Sequence, residues 1–168
     1  MKHDRNTEDV RDGNDIPEQR RSELDAVMNQ QLANAVDLPT QIKQTPCNIK
    51  GPHFIGLHGL LDQIDEAVEG HVDLIAERIV QLGGIAEGTA RVAGARSRLE
   101  EYPLDIAGGR ADVEAVARAL SAFGHETRKT IDEAEELEDA DTADIFTEIS
   151  RGVDKWLWFF EAHTQADK

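Results

Sequence analysis

His58, Asp62, Glu66, Glu69, Asp73 and Glu77 recur along one stretch of this chain at intervals of three and four residues. At about 100° per residue, a helix gathers all six into a single arc roughly 100° wide. One imidazole and five carboxylates in line make a donor set suited to hard or borderline cations. A solvated acidic helix face is the competing reading, and periodicity alone does not separate the two.

The element that must carry these donors runs from Lys50 to Gly84. Beside the acidic arc it holds an apolar stripe of Phe54, Leu57, Leu61, Ile64, Val68, Val72, Ile75 and Ile79. That spacing predicts an amphipathic helix that buries one side and presents the donors on the other.

The whole chain sets the frame for that helix. At 168 residues it is long enough for one domain with a substantial core. Aromatic residues make up only 5%, and no run resembles a hairpin with a two-residue turn, so the expected class is all-α. A net charge of −16 argues against nucleic acid or an anionic membrane surface as a partner, and favours cations. The single Cys47 excludes an intrachain disulfide and fits a reducing compartment. No apolar run reaches the roughly 20 residues needed to span a bilayer, and the start has no hydrophobic signal region. A cytoplasmic protein is the expectation.

Residues 1–15 are polar and aperiodic, which predicts a flexible N-terminal tail ahead of a helical domain over 16–168. Pro17 and Glu18 suit the first turn of a first helix carrying Leu24, Val27, Met28, Leu32, Ala35, Val36 and Ile42. Pro39 predicts a bend in it, Pro46 an irregular end, and Gly51-Pro52 a break before the second helix. Gly83-Gly84 ends the second helix. The following connection is long enough to predict a short helix near Thr89–Arg96. A third helix over Asp112–Glu138 buries Val113, Val116, Ala117, Leu120, Phe123 and Ile131. A fourth, from about Thr142 to His163, carries Ile145, Ile149, Val153, Trp156, Leu157 and Phe160. The outline is a ferritin-like four-helix bundle with a short helix in the connection between helices two and three.

Seven motifs carry a specific resemblance. They are N-I-K-G-P-H-F at Asn48–Phe54, H-x-x-x-D at His58–Asp62, D-x-x-A-E-R at Asp73–Arg78 and Q-L-G-G at Gln81–Gly84. Further on come Y-P-L-D-I at Tyr102–Ile106, D-T-A-D at Asp141–Asp144 and S-R-x-x-D-K-x-L-W-F at Ser150–Phe159. Over roughly Pro17 to His163 the chain resembles the Dps miniferritins, the iron-storage and DNA-protection proteins of starved bacteria. The resemblance implies a homo-oligomeric, dodecameric shell with an iron-oxidising site at each two-fold interface. It implies a ferroxidase acting on Fe(II) with hydrogen peroxide or oxygen, and a ferric core held inside.

In that family one subunit supplies two histidines and an aspartate to the site, and its neighbour an aspartate and a glutamate. By position, His58 and Asp62 match the second histidine and the aspartate, while Asp73 and Glu77 match the neighbour's pair. Glu66 and Glu69 are placed to seed mineral. The residue at Asp144 helps line a negative entry pore in the family, here with Asp141 and Glu138 nearby in the run Glu135, Glu136, Glu138, Asp139, Asp141 and Asp144. A solvated helix junction is the plain alternative for that run.

The departures are Pro46 and Cys47, which stand where the family has His-Trp. Proline removes one imidazole, so ferroxidase activity is expected to be reduced. Cys47 is a soft donor better matched to zinc than to hard Fe(III), and a small buried residue is its plainer reading. His53 is the available substitute imidazole. His71, about 160° around the helix from Asp73, is expected to pack or face solvent, and His125 and His163 to be structural. Trp156 and Trp158 could intercept oxidising equivalents, with packing the expected role for at least one. The alternative function is a Dps-like shell with an altered metal site, structural or zinc-binding. DNA binding is disfavoured by charge.

Overall fold

The computed structural model describes residues 14–45, 54–106 and 110–165, without the side chains of Phe54 and of residues 163–165. Pro46, Cys47, His53 and nearly all of the expected N-terminal tail lie outside the described residues, as does the side chain of His163. Helix α1 spans Glu18–Gln44, α2 Phe54–Gln81, α3 Ala90–Arg96, α4 Arg110–Glu136 and α5 Ala140–Gln165. No strand occurs among the described residues. The long helices form the bundle: α1 packs on α2 and α4, α5 on α4 and α2, and α3 lies against α1.

The apolar stripes read from the sequence become the core. Leu61, Ile64, Val68, Ile75 and Ile79 of α2 meet Leu24, Met28, Leu32, Leu38 and Ile42 of α1, all essentially inaccessible to water. From α4 and α5 come Val116, Leu120, Phe123, Ile149, Val153, Phe160 and also Phe146. Fully burying a side chain of this size is worth about 1.5–3 kcal/mol, so these positions dominate the stability.

Pro39 does not end or interrupt α1, which continues to Gln44 with Pro39 buried inside it. The missing donor leaves the preceding turn one hydrogen bond short. There the Thr40 hydroxyl donates to the Asp37 carbonyl at 2.7 Å, a side-chain bond that supports the weakened turn. At the other end of the hairpin, Gly83 takes the left-handed conformation with φ 83°. This lets the amides of Gly83 and Gly84 close back on the carbonyls of Val80 and Ile79 at 3.0 and 2.9 Å.

Polar residues on α1 hold the connection from α2 to α4. Asn29 donates to the Ile85 carbonyl and accepts from the Glu87 amide, at 3.0 and 2.9 Å. Asn34 accepts from the Arg98 amide at 2.8 Å, and Gln41 donates to the Glu100 carbonyl at 3.0 Å. A loop without regular structure thereby satisfies its backbone against one helix. Within it, Thr89 caps α3, its hydroxyl accepting from the Val92 amide.

The α4–α5 junction is a buried ion pair. Arg78 of α2 sends Nη2 to both carboxylate oxygens of Asp139 at 2.9 Å and Nε to the Thr142 hydroxyl at 3.0 Å. Asp139 also accepts from the Thr142 amide three residues on, so it is the N-cap of α5. Asp139 therefore leaves the acidic run: it is buried and paired where a solvated junction was one expectation.

Candidate metal site

Helix α2 turns the predicted donors outward. His58 is half-buried, and Asp62, Glu66, Glu69, Asp73 and Glu77 are exposed, while Leu57, Leu61, Ile64, Val68, Ile75 and Ile79 on the adjoining side are buried and Val72 is half-buried. Arg78 helps set this rotation. With its guanidinium locked beneath the α5 N-terminus, its neighbour Glu77 must point about 100° away, to the surface.

Within one chain the two donor pairs stay apart. His58 Nδ1 lies 3.1 Å from Asp62 Oδ2, one turn along the helix, a hydrogen-bonded i,i+4 pair. Asp62 and Asp73 are eleven residues apart in sequence. At 1.5 Å rise per residue that is about 17 Å, far beyond the roughly 2–2.5 Å over which a cation holds its ligands. Among the described residues, no three His, Cys, Asp or Glu side chains converge on one point. The His58–Asp62 and Asp73–Glu77 pairs can share an ion only if a second copy brings one to the other.

Glu69 is engaged within the chain. Lys43, in the last turn of α1, reaches it at 2.9 Å and Asp65 at 3.0 Å. Hydrogen bonds donated to Glu69 and Asp65 raise the Lys43 pKa. Asp65 escaped the sequence reading, although an acid pair four residues apart, Asp65 and Glu69, was its available signal. What that spacing could not show was a lysine from another helix bridging the pair. Glu66 is exposed and has no such partner among the described contacts.

At the start of α5, Asp141 and Asp144 are exposed on its first turns. Glu138 is exposed too, but it accepts from Arg20 at 2.6 Å. Of the remaining histidines, His71 packs against α5 beside Gly152, where burial lowers its pKa and the Glu148 charge opposes that, while His125 is exposed. Trp156 is buried and Trp158 is exposed.

The ferritin-like domain family matches residues 26–168. The DNA protection during starvation protein of Agrobacterium fabrum is 41% identical over 152 residues, covering 90% of this chain and 94% of that one. The chain belongs to the Dps miniferritins of the ferritin-like family. Its counterpart of the same name in Brevibacillus brevis is 31% identical, over 81% of this Dps chain and 91% of the relative. The tetragonal form of Mycobacterium smegmatis Dps superposes with a TM-score of 0.84 at 28% identity, covering 89% of this chain and 90% of that structure. The short α3 between α2 and α4 is part of the shared fold. No helix among the described residues is long and apolar enough to cross a membrane.

Proposed function

We propose that this Dps protein is an iron-storage and detoxification miniferritin of the bacterial cytoplasm. It oxidises Fe(II) with hydrogen peroxide or oxygen at sites between subunits and stores ferric iron inside a dodecameric shell. The observation that carries this reading is the spacing on α2. Two donor pairs on one helix face, about 17 Å apart, make a site only between antiparallel copies of that helix. His58 and Asp62 of one subunit then face Asp73 and Glu77 of the next.

The chemistry follows from the donors. Carboxylates hold Fe(II) and bind Fe(III) more strongly, which favours loss of the electron, and the imidazole fixes the geometry. Three carboxylates to one imidazole are hard donors suited to Fe(III), the product of the oxidation. Asp144, with Asp141 beside it, lines the acidic entry route, and Glu66 offers an oxygen ligand for mineral growth. Glu69 joins it only where iron displaces Lys43. With Pro46 in place of an imidazole, four side chains suffice for one iron, and a second binds more weakly.

The test is complementation between subunits. Asp62→Asn and Glu77→Gln shells should each lose most Fe(II) oxidation, followed optically. In a two-fold pair of mixed subunits, one of the two sites keeps all four donors. Random co-assembly should therefore restore about one quarter of the wild-type rate. Failure of mixed shells to exceed either parent, with assembly intact by light scattering, rejects the shared site. Fe(II) oxidation unchanged in both parent variants would put the structural-shell reading in its place.

A further inference from the structure

Tyr102 is the sole tyrosine of the chain and sits in the α3–α4 connection. Its hydroxyl donates to Asp112 Oδ1 at 2.5 Å and accepts from the Thr45 hydroxyl at 3.2 Å. Asp112, in the first turn of α4, has no exposure at all. Its second oxygen, Oδ2, is buried with no hydrogen-bond partner among the described residues. A carboxylate suits the positive end of α4, but the tie between loop and helix alone would be met by a neutral acceptor, without the cost of an under-solvated charge. The short phenol–carboxylate contact is what a proton transfer needs.

We propose that Tyr102 and Asp112 form a proton-coupled electron-donor pair that intercepts one-electron oxidants. An oxygen-centred radical takes one electron from the Tyr102 ring while the phenolic proton passes to Asp112 Oδ1. With hydroxyl radical as oxidant, the phenol, the carboxylate and HO• become the neutral tyrosyl radical, the carboxylic acid and hydroxide. Charge and protons balance. A one-electron donor resets the pair, and Asp112 returns the proton.

The surroundings fit both half-reactions. Burial, then the hydrogen bond to Asp112, push the Tyr102 phenol up to about 12, so no phenolate is available at neutral pH. Electron loss must then be accompanied by proton loss, and Asp112 is the base in contact. The ring is half-buried and borders two surface depressions of about 660 and 470 Å³, which open it to small reductants such as ascorbate. The pair itself does not depend on iron. Only the biological source of the radical, Fe(II) meeting peroxide, rests on the iron-handling function proposed above.

The deciding experiment uses the assembled, metal-free protein and flash-generated ruthenium(III) tris-bipyridine as oxidant, read by electron paramagnetic resonance. The unmodified protein should give a neutral tyrosyl signal, which Tyr102→Phe abolishes, leaving only tryptophan radicals. Asp112→Asn should slow its formation by about a hundredfold, the low end of what a positioned base supplies. Thr45→Val, which keeps the base, should still form the radical. Since Asp112→Asn disturbs a buried site, the unmodified protein is also oxidised in D2O, where formation should slow. Equal rates in H2O and D2O, an Asp112→Asn radical as fast as wild type, or radicals on tryptophan alone would each overturn the proposal. A tyrosyl signal after the flash but none with Fe(II) and peroxide supports the pair and counts against the iron reading instead.

Discussion

The guanidinium of Arg78 lies 2.9 Å from both carboxylate oxygens of Asp139, binding the C-terminal part of α2 to the N-terminus of α5. Both side chains are nearly inaccessible, at 10% and 4% exposure. Removing one partner strands the other charge in a low-dielectric site, which costs about 3–5 kcal/mol. Asp139→Ala should destabilise the protein by that amount in denaturant unfolding and should also slow Fe(II) oxidation, because the rotation of Glu77 loosens. A variant as stable as wild type would show that the pair contributes nothing net.

The same carboxylate sets an acid limit. Burial acts to raise the Asp139 pKa, but hydrogen bonds from Thr142 and Arg78 and the guanidinium charge outweigh it, and the net shift is below 3.8. Such a group holds fewer protons folded than unfolded, so its contribution is complete above pH about 3.8 and is lost as pH falls through the folded value. Asp139→Asn should flatten the acid end of the stability profile by the part this group carries. Profiles that stay parallel below pH about 4 would assign the acid sensitivity to other carboxylates.

Position 46 separates the two readings of the metal chemistry. Pro46→His returns an imidazole and a backbone donor together, so Fe(II) oxidation should accelerate while His58→Ala should slow it. Both are compared as intact assemblies. No change in Pro46→His together with loss of activity in His53→Ala would mean that His53 already fills the vacancy.

Charge makes a separate prediction about DNA. Subunits of −16 each repel a duplex, and phosphate contacts need unopposed lysines and arginines. Plasmid should run unshifted in a gel at about 0.15 M salt without free metal. A retarded band under those conditions would place a cationic surface on the assembly that the composition does not suggest.

Much of this molecule was legible in one dimension. Helical period placed the α2 stripe and the outward arc from His58 to Glu77, because a 3.6-residue repeat fixes which residues share a face, and the length of the connection placed the short helix near Thr89–Arg96. Pro39 sits inside α1, as the sequence placed it, because a single lost hydrogen bond costs less than the packing that α1 gains by continuing as a helix. Phe146, fully buried, was passed over beside Ile145, where adjacent apolar residues leave the buried face undecided.

Contacts between helices were beyond the sequence. Arg78 with Asp139, Lys43 with Asp65 and Glu69, and Tyr102 with Asp112 are charge or proton partners joined by the crossing of separate elements. A run of acids reads alike whether solvated or paired. Only the tertiary fold, by bringing Arg78 beneath the α5 N-terminus, decided that Asp139 is buried and paired while Asp141 and Asp144 stay exposed. Composition and period determined which faces exist. The packing of the bundle decided which of their charges are neutralised, because desolvation and Coulomb attraction act at ångström distances that spacing along a chain does not encode.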